Sequence, residues 1–129
     1  MPAHVAHEFA GDAQSPAAAR GFAKSALAEL LSEPVPPTLR DDVELVVSEL
    51  VTNAVRAGSP TVTVQVSIED AAILLRVADE ARGWPEERHA GIHDTSGRGL
   101  PLVSALSSSW GVRIVEHGKV VWATLALPA

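Results

Sequence analysis

A strict alternation of apolar and polar residues between Thr61 and Ile68 constrains the fold of this chain more than any other feature. In this stretch, TVTVQVSI, β-branched aliphatic residues occupy every second position and Thr, Gln or Ser the positions between. Successive side chains of a strand point to opposite faces, so the pattern predicts a strand with one buried face and one wetter face. Segment 73–79, ILLRVAD, follows after a four-residue turn. The two strands are therefore expected to form an antiparallel hairpin.

Segments with helical periodicity stand before and after this hairpin in the sequence. In segment 41–58, DDVELVVSELVTNAVRAG, aliphatic residues recur at the spacing of a core-facing helix stripe. Ser15 followed by Pro16 predicts the start of an earlier helix, and GRGLPLVSAL predicts a later one from about Gly99. Further strands are predicted at 4–9, 112–116 and 119–127. This order predicts the α+β class: a two-layer α/β sandwich whose mixed, mostly antiparallel sheet is covered on one face by about three helices.

Length, charge and cysteine content restrict the class of protein. With 129 residues the chain is expected to form a single domain over residues 1–129. Its net charge of −6 argues against nucleic acid as a partner, because proteins that bind the phosphate backbone usually present a basic face. The absence of cysteine excludes disulfides and thiolate metal sites. No signal-peptide pattern and no apolar run of about 20 residues is present, so we expect no membrane association and a cytoplasmic protein.

Two polar residues interrupt the central helical segment. Glu49 and Asn53 are four residues apart, so their side chains meet one turn over the other on a helix. A carboxylate can accept a proton, and a carboxamide oxygen can bind a hard cation such as Mg²⁺, which prefers few protein ligands together with phosphate oxygens. The pair is compatible with a site for a metal and a nucleotide. The alternative is a solvated polar edge of the helix, which is the commoner reason for such a pair.

Two further segments combine glycine with charged residues. Gly97-Arg98-Gly99-Leu100 lies where a long segment without periodicity meets a predicted helix, and unpaired N–H groups at a helix start favour phosphate. The alternative is an ordinary glycine turn. Asp79 ends a predicted strand and is followed by Gly83, and a carboxylate in that place can accept a hydrogen bond from an exocyclic amine such as that of adenine. The alternative is an aspartate that terminates a strand in a turn.

In their order along the chain, these three groups resemble the motifs of the ATP-binding fold shared by gyrase, Hsp90, histidine kinases and MutL. SELVTNAV resembles the N box of that family, VADEARGWP its first glycine box and GRGLPLV its second. The last hairpin, GVRIVEHGKVVWATL, resembles the closing strands of the family, and the resemblance covers roughly residues 40–126. Within the family, the short chain and the WG…GKVVW ending are most similar to the bacterial anti-sigma-factor serine kinases.

The resemblance implies a function and assigns roles to residues. Asn53 would be the Mg²⁺ ligand, and Glu49 the catalytic base that orients a serine hydroxyl of a protein substrate. Asp79 would accept the adenine amine, and the loop at about 80–96 would be a lid. The implied nucleotide-binding residues are Asn53, Asp79, Ala81, Gly83, Gly97, Arg98, Gly99 and Leu100. The implied protein binds ATP and Mg²⁺, phosphorylates a serine on an anti-sigma antagonist, sequesters a sigma factor, and is a possible homodimer.

The chain departs from the family pattern in three places. Ala81 stands where a glycine often follows the adenine-binding aspartate, and Val120 where related kinases commonly carry a threonine that helps to hold adenine. Segment 56–58, Arg-Ala-Gly, replaces a histidine often found after the N box. Ala81 and Val120 favour an alternative: a non-catalytic protein-binding module with ATP as a conformational ligand, or with no nucleotide. A detached catalytic domain of a sensor histidine kinase is a weaker alternative, because the sequence offers no phosphoacceptor helix or sensor segment.

Overall fold

Helices and strands make up most of the described part of the protein. The computed structural model describes residues 3–80 and 96–128. In chain order the elements are β1 (Ala3–Ala10), α1 (Ser15–Leu30), α2 (Pro37–Arg56), β2 (Thr61–Glu69), β3 (Ala72–Asp79), α3 (Ser96–Leu106), β4 (Ser109–Val115) and β5 (Gly118–Ala126).

The strands form one five-stranded sheet in the order β1-β2-β3-β5-β4. The predicted α+β sandwich is confirmed, and within the described residues every strand pairing is antiparallel, so this sheet is not mixed. The predicted hairpin is present, with Val62 opposite Asp79 and Glu69 opposite Ala72. Its turn is tighter than the predicted four residues, because Asp70 and Ala71 adopt φ of 51° and 61°. Positive φ at both central residues is typical of a two-residue turn whose twist matches that of the strands.

Helices cover one face of this sheet. The aliphatic residues at alternate strand positions share a single core with α1, α2 and α3. Fully buried side chains in it include Val43, Val46, Val47, Leu50, Val51, Val62, Val64, Val66, Ile73, Leu75, Val77 and Leu125. Removing each such side chain from water contributes about 1.5–3 kcal/mol. The helical and strand periodicities seen in the sequence therefore meet in one helix–sheet interface.

The observed helix starts refine the sequence prediction. Proline occupies the first turn of both α1 and α2, where its missing N–H is tolerated. The third helix begins at Ser96, before the predicted start at about Gly99. Gly97 and Gly99 therefore belong to the first turn of α3 rather than to a loop ahead of it. Among the helices of residues 3–80 and 96–128, none is both long and apolar enough to cross a membrane.

Candidate functional site

Asp79 ends β3 on the face of the sheet that the helices cover. Its side chain is 2% exposed, and one oxygen, Oδ1, accepts a hydrogen bond from Nζ of Lys119 at 3.1 Å. The ammonium of Lys119 is equally buried, at 2% exposed. Asp79 and Lys119 are directly opposite each other on the neighbouring strands β3 and β5. The predicted adenine-binding carboxylate is thus held by a buried ion pair.

Sequence reasoning missed Lys119. Its position follows from the period of a strand, because Lys119 alternates with Val121 and Ala123, which are buried under the helices. Extending that alternation back to the start of β5 would have placed a lysine on the covered face. The same alternation places Val120 on the opposite face, where it lines a groove with Arg76 and Arg113. The missing hydroxyl at Val120 therefore does not bear on the surroundings of Asp79, which corrects the expectation drawn from the family pattern.

The backbone beside Asp79 is packed too closely for a side chain. Gly118 has φ of +155°, and a Cβ at this position would lie 1.9 Å from the carbonyl oxygen of Asp79. Only glycine adopts such a conformation readily and permits this approach. The start of β5 therefore lies directly against the end of β3.

Ser59 connects the end of α2 to the end of β3. Its hydroxyl accepts a hydrogen bond from the backbone N–H of Glu80 at 2.9 Å and donates one to the carbonyl of Thr61. Its own N–H donates to the carbonyl of Ala54, within the last two turns of α2, at 3.2 Å. The helix that carries Glu49 and Asn53 therefore ends beside the strand that carries Asp79.

Asn53 is buried in α2 with one of its hydrogen-bonding atoms unsatisfied. The residue is 8% exposed, and Nδ2 has no hydrogen-bond partner among the described residues. Leaving a buried donor without a partner costs about 1–3 kcal/mol. Glu49, one turn earlier on the helix, is half-buried. A carboxamide and a carboxylate in this setting can serve a polar ligand, with the amide offering either an N–H or an oxygen.

Helix α3 carries the remaining described candidates and packs against α2. Gly97, Arg98 and Gly99 lie in its first turn, followed by the buried Leu100, which is 5% exposed. Ala81 and Gly83, with residues 81–95 of the predicted lid, lie outside the described residues. Within the described residues, no three His, Cys, Asp or Glu side chains are grouped closely enough to hold a metal ion. Mg²⁺ commonly takes only one or two protein ligands beside phosphates, so a role for Asn53 as a single ligand stays compatible with this site.

Three solved structures have the same fold. The histidine kinase domain of the Erythrobacter litoralis EL346 blue-light activated histidine kinase shares 25% identity with a TM-score of 0.54, and the match covers 72% of this chain and 46% of that chain. A second structure of that kinase shares 24% identity with a TM-score of 0.56, and the match covers 72% of this chain and 32% of that chain. The Acinetobacter baumannii histidine kinase AdeS shares 18% identity with a TM-score of 0.57, and the match covers 97% of this chain and 68% of that chain. The chain therefore spans less than half the length of the two Erythrobacter litoralis chains.

Sequence comparison identifies the family directly. No curated protein matches the chain. A family model described as the histidine kinase-like ATPase domain matches residues 9–125, which include the N-box helix, both glycine segments and the closing hairpin. With this match over most of its length, and with helices α1, α2 and α3 of the described residues on one face of an antiparallel sheet, the chain belongs to the family of histidine kinase-like ATPase domains.

Proposed function

We propose that the chain binds ATP together with Mg²⁺ at a site formed by α2, the first turn of α3 and the end of β3. The observation that carries this proposal is the buried Asn53 amide with an unsatisfied Nδ2, on the helix that Ser59 ties to the end of β3. An orphaned polar group at this place fits a site completed by a polar ligand. Membership of an ATPase family supports the choice of ATP as that ligand.

Asp79 selects the base in this proposal. A carboxylate offers about four lone-pair sites on its two oxygens, so a hydrogen bond from Lys119 and one from an adenine amine are compatible. Guanine presents a carbonyl oxygen where adenine presents its amine, and a carboxylate repels that oxygen. We therefore expect ATP to bind at least roughly tenfold more tightly than GTP, because an unpaired buried acceptor opposes the wrong base.

Phosphate binding and transfer are assigned to the two helices. The first turn of α3, with Gly97 and Gly99, offers backbone N–H groups and the positive end of a helix dipole to phosphate oxygens. Bound Mg²⁺ supplies neutralisation of the charge on those oxygens. Asn53 offers its carboxamide oxygen as the protein ligand, and Glu49 accepts the proton of an attacking hydroxyl.

The finer proposal is a regulator of the anti-sigma type. In this role the chain phosphorylates a serine on an anti-sigma antagonist and sequesters a sigma factor, with a homodimer as its possible assembly. The resemblance of the N box, the second glycine box and the GKVVW ending to the anti-sigma-factor serine kinases supports this subtype. The net charge of −6 supports association with a basic partner surface.

The buried ion pair is also compatible with a second candidate function. The ion pair between Lys119 and Asp79 already satisfies part of the carboxylate. A non-catalytic protein-binding module, in which ATP is only a conformational ligand or does not bind at all, is compatible with that arrangement.

Titration calorimetry with ATP and MgCl₂, repeated with GTP, tests the nucleotide proposal. We expect Asn53→Ala and Asp79→Asn to weaken ATP binding at least roughly tenfold. Asp41→Asn, an exposed aspartate in α2, removes the same charge as Asp79→Asn and should bind as the wild type does. Unfolding of each variant is followed in parallel, because Asp79→Asn removes the charged carboxylate that accepts the hydrogen bond of Lys119. The absence of binding heat from ATP with the folded wild-type protein would contradict both the kinase and the module with ATP as a conformational ligand, and would leave only the module that binds no nucleotide.

A phosphotransfer assay separates the kinase from the binding module. Candidate antagonist proteins are incubated with the wild-type chain and γ-labelled ATP, and with Glu49→Gln. The kinase proposal expects label on a serine, with transfer reduced by roughly 10²–10⁴-fold in Glu49→Gln while ATP affinity changes little. ATP binding without transfer to any candidate supports the non-catalytic module instead.

A further inference from the structure

The face of the sheet opposite the helices carries a groove of mixed apolar and basic character. The strand positions that alternate with the core residues point there, since strand side chains alternate between faces. A groove of about 310 Å³ on this face is lined by Leu74, Arg76, Arg113, Val120, Trp122 and Thr124. It continues over β2 into a second depression, of about 250 Å³, that shares Arg76, Arg113 and Val120.

Trp122 lines this groove with its ring over Gly111, which makes room for it. The two residues are opposite each other on β5 and β4. A Cβ at Gly111 would lie 2.6 Å from Cζ2 and 2.8 Å from Cε2 of the indole. The ring therefore lies flat against the neighbouring strand. Tryptophan presented flat in a groove offers a large contact area with little side-chain entropy to lose.

The two arginines give the groove a charge opposite to that of the chain. Within residues 3–80 and 96–128, neither Arg76 nor Arg113 forms an ion pair, and neither pocket has a carboxylate in its lining. The chain as a whole has a net charge of −6. Two guanidinium groups without a bound carboxylate, on either side of an aromatic surface, are suited to bidentate recognition of carboxylates.

These features favour one occupant over the others. A second copy in a two-fold dimer would bring the same patch against itself and place Arg76 and Arg113 near their own equivalents, which is electrostatically unfavourable. Nucleic acid is disfavoured by the acidity of the rest of the chain. An acidic peptide with apolar side chains between its carboxylates matches both the arginines and the apolar lining.

We propose that this outer groove is a docking site for an acidic, apolar peptide segment of a protein partner. Carboxylates of the peptide pair with Arg76 and Arg113, and its apolar side chains pack on Trp122, Val120 and Leu74. The site lies on the face of β3 and β5 opposite to Asp79 and Lys119. Docking there leaves the proposed nucleotide site open and does not depend on it.

The direct test is titration of the ¹⁵N-labelled chain with a short synthetic peptide in which Glu and Leu alternate, followed by NMR and by fluorescence polarisation. We expect chemical-shift changes at Leu74, Arg113 and Trp122, and binding that weakens as salt is raised. A Lys and Leu alternating peptide of equal length should bind at least roughly tenfold more weakly.

Charge-reversal variants make the test specific. Arg76→Glu with Arg113→Glu should weaken Glu–Leu peptide binding at least roughly tenfold. Arg20→Glu with Lys24→Glu, two exposed residues of α1, makes the same change in net charge and should leave affinity within roughly threefold of wild type. Circular dichroism checks folding, and Arg76→Gln with Arg113→Gln replaces the reversal pair if that pair unfolds. ATP titration should be unchanged in all these variants.

Several results would overturn the proposal. They are the absence of peptide binding at millimolar concentration, equal binding of the Lys–Leu peptide, and full affinity in the arginine variants. Sedimentation showing a dimer that the arginine variants abolish would assign the groove to a second copy instead. Tighter binding of a single-stranded oligonucleotide, lost in the same variants, would assign it to nucleic acid.

Discussion

The two faces of strands β3 and β5 differ in whether their charged side chains are buried and paired. On the face under the helices, Asp79 and Lys119 are each 2% exposed and form an ion pair at 3.1 Å. On the outer face of the same strands and of β4, Arg76 and Arg113 line an open groove without a carboxylate among the described residues. The difference lies in the layer above the sheet, because only the covered face removes its charges from water.

Buried charges of this kind contribute to folding, whereas exposed charges in the groove are available for binding. A charge out of water must be paired, since an isolated one is too costly to keep. A charge in an open groove stays solvated until a partner arrives, so it can be kept without a partner in the folded protein.

Replacing Lys119 with methionine should give the largest loss of stability. The substitution removes the ammonium that pairs with the buried Asp79 carboxylate, and breaking a buried ion pair from one side costs about 3–5 kcal/mol in comparable proteins. Urea denaturation measures the loss. Lys24→Met, an exposed lysine of α1, is the matched control and should change stability by less than about 0.5 kcal/mol. Adding Asp79→Leu to Lys119→Met should restore much of the loss, and a double variant no more stable than the single one would contradict the buried-charge account.

Substitution of two adjacent leucines of β3 compares the two faces of the sheet without changing any charge. Leu75 is fully buried under the helices, while Leu74 lines the outer groove and is 9% exposed. Leu75→Ala should cost about 2–5 kcal/mol, because it leaves a closed cavity. Leu74→Ala should cost about 1–2 kcal/mol, because water can enter the space it vacates. Equal losses in thermal unfolding would show that the outer face is as closed as the inner one.

Substitution of Gly118 tests the close approach of β5 to the Asp79 carbonyl, with Gly21 in α1 as the control position. Gly118→Ala places a methyl group against the Asp79 carbonyl at a backbone φ of +155°, so we expect a loss of about 1–3 kcal/mol. At Gly21, in the exposed part of α1, an added Cβ meets no atom within 4 Å. Gly21→Ala should therefore stabilise the protein by about 0.5–1 kcal/mol through helix propensity. The two midpoints in urea should move in opposite directions, and a parallel shift would refute the packing argument.

Removing the outer arginine charges should have the smallest effect on folding. Arg76→Gln and Arg113→Gln are expected to change the free energy of unfolding by less than about 0.5 kcal/mol each, since neither guanidinium has a carboxylate to lose among the described residues. Urea denaturation under identical conditions measures both. A loss of more than about 1 kcal/mol in the free energy of unfolding would mean that these guanidinium groups stabilise the folded protein.

The local patterns of the sequence anticipated most of the fold. Alternation at Thr61–Ile68 predicted β2 and its hairpin with β3, and helical spacing in 41–58 predicted α2. Both are short-range signals that depend on the period of one element. The turn was harder to predict, because Asp70 and Ala71 take positive φ without a glycine. Aspartate is enriched in that region of backbone conformation, but alanine is not.

The candidate site could be predicted only in part. Motif resemblance pointed to Asn53 and Asp79, and the structure places both in buried positions on elements that meet through Ser59. Lys119 and Ser59 carried no motif signal, because what they contact lies far away along the chain, 40 residues in the case of Lys119 with Asp79 and 21 for Ser59 with Glu80. Their roles depend on strand register and on how α2 ends.

Spacing along a few consecutive residues is enough to predict the types of element, the apolar stripe on each one, and the family to which their motifs point. Only the packing of the strands shows that Lys119 pairs with Asp79, and that Val120 shares a groove on the other face of the sheet with Arg76 and Arg113. The energy of a charged side chain depends on its exposure to solvent and on nearby counter-ions. Which of the two a side chain meets is settled only when the helices cover one face of the sheet and leave the other open.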